Sequence, residues 1–444
     1  MTRRLLKLAT VLTVLTVGLA LPAMLGPASD ASTRASGRKA LAAPLGGVNV
    51  PGLDRGSTPQ AADAAIAAAK ALHARIVRLA VPWSVLEPLG AGSVSSQALA
   101  FTDRLTGDAA AAGIRVIMTV DSSPCWASSA PATLLSRCDP ARPSDANAWP
   151  PRNPGDYAAF TAYLAGRYGN RLAAIEIWNE PDQVNQLYFA GSQKPERYAA
   201  ILRSAYPAIK AANGSVSVIA GSLVGSNGAF LRALYANGIK GYFDGLAVHF
   251  YNLVLASVRA IHEVHLANGD AKPLWLDEFG WSSCYPRQRI QEEQACVTPP
   301  IQGSNLSDVF HSLARTPYVA AEVMYNLQDS GHEQFGVLNR AGARKPAFAA
   351  LSRALASPFA SASRVKLSLR RSGGRVLASG TAPVGDFVQL EAFRGSVLRY
   401  RALFVLDRFD RYSIRLPAVL GARGLRVRVF QFWTGPAQAA QRSI

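Results

Sequence analysis

The chain has 444 residues, 49% of them hydrophobic, which is enough for one large domain and a small one, each with its own core. Its formal charge is +18, from 47 Lys and Arg against 29 Asp and Glu. The excess is mostly arginine in an alanine-rich sequence, with no basic motif interleaved with aromatics, so nucleic-acid binding is not expected. Acidic glycans and anionic cell surfaces are partners that such a charge admits.

In chain order, the first feature is a positive N-terminus, Arg3, Arg4 and Lys7, followed by the apolar run "ATVLTVLTVGLALPAML" and then small residues, including "ALA" at Ala40 to Ala42. That layout is a secretory signal, and residues 1–42 are read as signal peptide and tether. An uncleaved anchor is the alternative, because a run of about 17 residues lies at the lower edge for a membrane span.

From residue 46 to about 355, short apolar or β-branched runs alternate with amphipathic helical stretches. The strands are expected at 47–50, 75–81, 114–120, 173–179, 216–221, 245–251, 273–280 and 320–326. The clearest helix is "PERYAAILRSAYPAIKAANG". In it Tyr198, Ile201, Leu202, Ala205 and Ile209 share one face, and Gly214 stands where a C-cap is expected. Eight strand–helix units predict an α/β fold, a (β/α)8 TIM barrel over residues 43–357. An open doubly wound sheet is the runner-up, but no glycine-rich phosphate loop follows an early strand.

The four cysteines fall in two local pairs, Cys125 with Cys138 and Cys284 with Cys296. In an exported chain they are expected as disulfides, and local pairing is the simplest of the three connectivities. Zinc is disfavoured by the lack of a CxxC pattern, and "HEVH" at His262 to His265 lacks the spacing of a zinc helix.

Beyond residue 357 the period changes to two, with Gly and Asp at turns every 8–12 residues. Residues 358–444 are expected as a small immunoglobulin-like β-sandwich. This segment holds 15 Lys and Arg against 4 Asp and Glu, so +11 of the chain's charge lies here. Its expected role is structural or surface-binding.

A barrel places functional groups at the C-terminal ends of its strands. Those ends offer Arg78 on strand 2, Asp121 and then Trp126 on strand 3, and Asn179 and Glu180 on strand 4. Strand 6 offers His249 and Tyr251; strand 7, Asp277, Glu278 and then Trp281; strand 8, Tyr325. Two carboxylates on well-separated strands with aromatics around them suit glycoside hydrolysis. One protonated carboxyl serves the leaving oxygen, and an ionised one attacks the anomeric carbon or activates water.

"IWNEP" on strand 4 and "LDEFGW" on strand 7, with "VRLAVPW" and "VHFY" in the expected order, resemble clan A glycoside hydrolases, families 5 and 39 above all. The resemblance covers about residues 46–355. It implies Glu180 as general acid/base and Glu278 as nucleophile, in a double displacement on β-linked glycosides with net retention. Asn179 would bond the sugar 2-hydroxyl, Arg78 and Tyr251 would hold Glu278, and His249 would line the floor of the −1 subsite. Trp126 and Trp281 would offer sugar platforms. Tyr325 would stand where many clan members carry a tryptophan. Glu180 is expected to have a raised pKa from burial and its negative neighbour.

The expected partner is a glycoside, oligosaccharide or polysaccharide, with the basic C-terminal domain meeting a cell surface. No metal or organic cofactor is expected. A non-catalytic carbohydrate-binding barrel and a cell-wall transglycosylase are the alternatives. In "IEIWNEPD", period 2 sets Glu176 and Trp178 on the interior face and Ile175 and Ile177 against the helices. Glu176 is then structural, and only Glu180 reaches the mouth.

Overall fold

In the computed structural model, the structure describes residues 43–251, 254–285, 296–331, 333–360, 364–383, 387–407, 409–431 and 439–444. Residues 1–42, to which the signal-peptide reading applies, and residues 286–295 of the loop between Cys284 and Cys296 lie outside these ranges.

Eight parallel strands close into a barrel: β1 (Leu45–Asn49), β2 (Ile76–Pro82), β3 (Arg115–Asp121), β4 (Leu172–Ile177), β5 (Ser217–Leu223), β6 (Gly245–His249), β7 (Leu274–Glu278) and β8 (Val319–Met324). Closure is made by β1 on β8, from Leu45 opposite Ala321 to Val48 opposite Met324. β1 approaches β2 so closely that a Cβ on Gly47 would lie 1.7 Å from the Ile76 carbonyl oxygen, so only glycine fits there.

Alternation along the strands builds two environments. Val77, Leu79, Val116, Met118, Ile175, Ile177, Val218, Leu246, Val248, Leu274 and Leu276 face outward into the main core beneath the helices. Ile76, Ile117, Ala174, Ile219, Ala247, Trp275, Ala321 and Val323 face inward and fill the barrel. Two residues further along β2, β3, β4, β6 and β7, the inward positions become Arg78, Thr119, Glu176, His249 and Asp277. A polar layer therefore lies directly on the apolar plug.

The long helix spans Lys194–Ala212 and buries the expected stripe of Tyr198, Ile201, Leu202, Ala205 and Ile209. Its C-cap is Asn213, one residue before the glycine expected there. The backbone N–H of Asn213 returns to the Ile209 carbonyl, so Gly214 is not needed in that place. Both local disulfides are formed, Cys125–Cys138 and Cys284–Cys296.

The C-terminal region is an antiparallel sandwich of β9 (Ser368–Ser372), β10 (Arg375–Thr381), β11 (Phe387–Arg394), β12 (Val397–Val405), β13 (Arg411–Arg415), β14 (Leu425–Gln431) and β15 (Ala440–Ser443). One sheet runs β13-β10-β9 and the other β12-β11-β14-β15. Val376, Ala378, Val388, Leu390, Ile414, Val427 and Val429 form a core separate from those of the barrel. The sandwich meets the barrel where Phe409 packs edge-on against Tyr285, with ring centroids 5.9 Å apart. Among the described residues no helix is long and apolar enough to cross a membrane.

Candidate active site

The polar layer is organised by Arg78. Its Nε donates to Glu176 Oε2 at 2.7 Å, its Nη1 to Glu278 Oε1 at 2.5 Å and its Nη2 to the Asn179 side-chain oxygen at 2.8 Å. Asp277 Oδ2 lies 3.4 Å from Arg78 Nε. A planar guanidinium with several N–H donors suits this divergent set of acceptors better than a lysine would. Glu176 also accepts from the hydroxyls of Thr119 and Ser222, so this fully buried carboxyl has partners on β2, β3 and β5. Asn49 on β1 donates to the Asp277 backbone carbonyl at 2.8 Å.

Above that layer stand Glu180 and Glu278. Glu278 is brought inward at the end of β7, where the β6–β7 register shifts between Val248 and His249 and sets His249 opposite Glu278. Such irregularities re-aim side chains near functional sites. At the end of β4 the turn is made differently. Trp178 and Glu180 both adopt left-handed backbone, with φ of 69° and 43°. Non-glycine residues held there each store about 1–3 kcal/mol of strain. The left-handed Trp178 breaks the alternation of β4. Its ring leaves the interior face expected for it and packs in the outer core beside Tyr157 and Phe189, with centroids at 5.8 and 5.4 Å.

His249 links the two glutamates. Its Nδ1 lies 2.9 Å from Glu180 Oε1 and 3.4 Å from Glu278 Oε2. Its Nε2 lies 3.4 Å from Asp277 Oδ1, a charge contact without the alignment of a hydrogen bond. Tyr251 donates to Glu278 Oε2 at 2.6 Å, and Gln183 donates to Glu180 Oε2 at 2.5 Å. One oxygen of Glu180, one oxygen of Glu278 and a nitrogen of His249 all lie within 4.8 Å of one another.

These contacts set the protonation pattern. Burial pulls His249 down, but the charge of Glu278, the close approach of Asp277 and the bond to Glu180 outweigh it and hold the imidazole well above its ordinary value. Burial raises Glu180, but the bond and charge of His249, with help from Gln183 and Arg78, leave it below the usual carboxylate range. The expected elevation of Glu180 is thus reversed: its nearest charge is a histidinium, not a carboxylate. Glu176 is pushed up to about 8, chiefly by burial and further by Asp277, against the pull of Arg78 and His249. Burial also lifts Asp121 to about 6.

A cavity of about 490 Å³ opens over this group. Its lining includes Asn179, Glu180, His249, Tyr251, Glu278 and Tyr325. Tyr325 packs against Tyr251 with centroids 6.0 Å apart, and its hydroxyl donates to Glu333 at 2.8 Å. The two tryptophans expected as sugar platforms stand elsewhere. Trp281 is 4% exposed and packs within the main core, so its ring is not offered to the cavity. Trp126 is half-buried against Trp83, donates to the Glu87 carbonyl and does not line the cavity.

The sequence reading missed Gln183, Tyr188, Glu333 and Phe335, which also line the cavity. Gln183 lies three residues after Glu180, and that spacing was the one signal for it. The others lie in loops with no period to read.

Glu176, His249 and Asp277 offer three ligand atoms within 4.8 Å, as do Glu180, His249 and Glu278. Either set has the geometry for a cation, but Arg78 already brings a fixed positive charge into contact with Glu176, Asp277 and Glu278.

Residues 155–342 match the model of the glycosyl hydrolase catalytic core. No curated protein matches the chain. Among solved structures, a family 39 glycoside hydrolase from Bacteroides cellulosilyticus WH2 is 18% identical, with a TM-score of 0.53 over 84% of this chain and 81% of that one. A family 39 enzyme from Xanthomonas axonopodis pv. citri is 16% identical, with a TM-score of 0.51 over 85% and 93%. A family 39 β-xylosidase from Caulobacter crescentus is 18% identical, with a TM-score of 0.51 over 80% and 84%. At these identities the likeness speaks for the fold. The stretch that carries Glu180, His249 and Glu278 matches a glycosyl hydrolase catalytic core, and the chain shares the fold of family 39 glycoside hydrolases.

Proposed function

We propose that this glycoside hydrolase is exported and acts on β-linked glycosides with retention of configuration, using Glu278 as nucleophile and Glu180 as general acid/base. The observation that carries the reading is the close approach of the two carboxylates, whose nearest oxygens lie within 4.8 Å. Retaining enzymes set the pair about 5–5.5 Å apart, whereas inverting ones leave about 6.5–9.5 Å for a water.

In the first step a Glu278 oxygen bonds to the anomeric carbon as the bond to the leaving oxygen breaks. That oxygen takes the proton held by Glu180 and His249 together. In the second step a water oxygen attacks the anomeric carbon, its proton passes to Glu180, and Glu278 is released. Arg78 and Tyr251 each hold one oxygen of Glu278, which keeps the attacking carboxylate aimed at the cavity. Asn179 faces the cavity with its amide nitrogen free for a sugar hydroxyl, since its oxygen is taken by Arg78. Tyr325 walls the same cavity.

Export is supported by two disulfides, which persist in oxidising compartments, and by the signal-like N-terminus. The basic C-terminal domain is proposed to hold the enzyme at an anionic surface. The mechanism is tested by following the anomer first released from aryl β-glycosides. The β-anomer is expected, and Glu180→Gln should lower turnover by about 10²- to 10⁴-fold. An α-anomer as first product would overturn the assignment of Glu278.

A further inference from the structure

The sandwich carries an unusual face. Strands β9, β10 and β13 read SLRRS, RVLASGT and RYSIR, with five arginines and no acid. Val376, Ala378, Tyr412 and Ile414 point into the sandwich, which turns Arg370, Arg375, Arg411 and Arg415 outward, all exposed. The register sets Arg370 and Arg415 on either side of Leu377, so they stand two strand spacings, about 10 Å, apart. The next row of the same face is Ser368, Ser379 and Ser413.

Arg411 is paired with Asp407. Among the described residues, Arg370, Arg375 and Arg415 make no ion pair. The face runs into a cavity of about 720 Å³ whose lining includes Ser379, Thr381, Ser413 and Arg411. It therefore combines unpaired guanidinium groups, a row of hydroxyls and a depression beside them.

We propose that this face of the three-stranded sheet is a docking site for an acidic polysaccharide, separate from the catalytic cavity. The arginines match its carboxylate or phosphate groups, and the serine row matches its hydroxyls. The face lacks the exposed aromatics on which unpaired bases stack, which disfavours single-stranded nucleic acid. Leu377 is the only large apolar side chain on its outward positions, too little to insert into a membrane. The inference deepens the proposal of surface attachment and does not depend on the identity of the hydrolysed sugar, which the glycoside assay tests separately.

The test uses the full chain with immobilised polygalacturonate, neutral dextran, anionic phosphatidylglycerol vesicles and a DNA duplex as probes. Retention is expected on polygalacturonate and not on dextran, falling about tenfold or more when salt rises from about 0.05 to about 0.5 M. Replacing Arg370, Arg375 and Arg415 together by Gln should weaken retention about tenfold, with unchanged melting temperature and unchanged hydrolysis of a small aryl glycoside. Replacing the exposed barrel arginines Arg137 and Arg142 by Gln should leave retention as it was. The proposal is overturned if the triple variant binds like the wild type, or if the barrel variant loses as much. It also fails if vesicles or DNA bind more tightly than polygalacturonate, or if polygalacturonate is not retained at all.

Discussion

Glu176 and Glu180 lie four residues apart and live in different electrostatic settings. Glu176 is enclosed by Arg78, Thr119 and Ser222, and burial pushes it up to about 8. Glu180 borders the cavity beside a histidine held well above its ordinary value. Glu176→Gln keeps the shape and one acceptor oxygen but puts an amide donor where the other oxygen accepts from Arg78 and Thr119 or from Ser222. Its main cost is expected in stability, about 1–3 kcal/mol in a denaturant titration, with turnover lowered less than tenfold. A fully stable variant with lost turnover would instead make Glu176 part of the chemistry. His249 allows a test by pH. Its folded pKa is raised above the unfolded value of about 6.5, so the stability it contributes is fully present below that pH and is lost as pH rises through its raised value. The stability gap between wild type and His249→Asn should therefore narrow as pH climbs above about 6.5. Loss of the shared proton should likewise set the basic limb of wild-type activity above that pH. In the variant the limb should move, because Glu180 loses its first lowering partner.

At the scale of elements, the turn after β4 does the most to shape the cavity. The left-handed Trp178 swings its ring into the outer core, and its indole N–H donates to the Tyr188 carbonyl at 2.8 Å. That bond fixes the loop carrying Gln183 and Tyr188, both of which line the cavity. Asp182 ties the same loop to the end of β5, accepting from the backbone N–H of Val224 and Gly225. Trp178→Ala should cost about 3–5 kcal/mol of stability, because its side chain is fully buried among aromatics. With the loop unpinned, KM should rise as well, and steady-state kinetics on the folded variant would show it. An unchanged KM would mean that the loop holds its place without the tryptophan.

At the scale of the molecule, the chain after β3 and the chain after β7, both at the C-terminal end of the barrel, each carry a local disulfide. Cys125 and Cys138 are 13 residues apart, a short loop for which chain-entropy arguments give about 3 kcal/mol of stabilisation. Replacing both by Ser should lower the unfolding free energy by about that amount in a denaturant titration. A change much smaller than 1 kcal/mol would mean that native packing already holds the loop. The sandwich has its own core and meets the barrel through Phe409 on Tyr285, next to Cys284. The arginine-rich sheet of that sandwich faces away from its own core, free of the chemistry at the barrel mouth.

The sequence by itself determined the barrel, because eight apolar runs alternating with amphipathic helices have few other ways to bury themselves. It also located the polar strand ends, since period 2 carries an inward apolar position to an inward polar one two residues later. Arg78, Asn179, Glu180, His249, Tyr251, Glu278 and Tyr325 are accordingly brought together around one cavity. Only the tertiary structure decided where the tryptophans face. A strand's alternation ends with the strand, and the direction of Trp178 depends on the sign of its φ, while Trp281 is claimed by the core. The same holds for Glu180. Its protonation is set by charges that arrive from β2, β6 and β7 along with its own burial, and no local pattern in one stretch of chain records that sum.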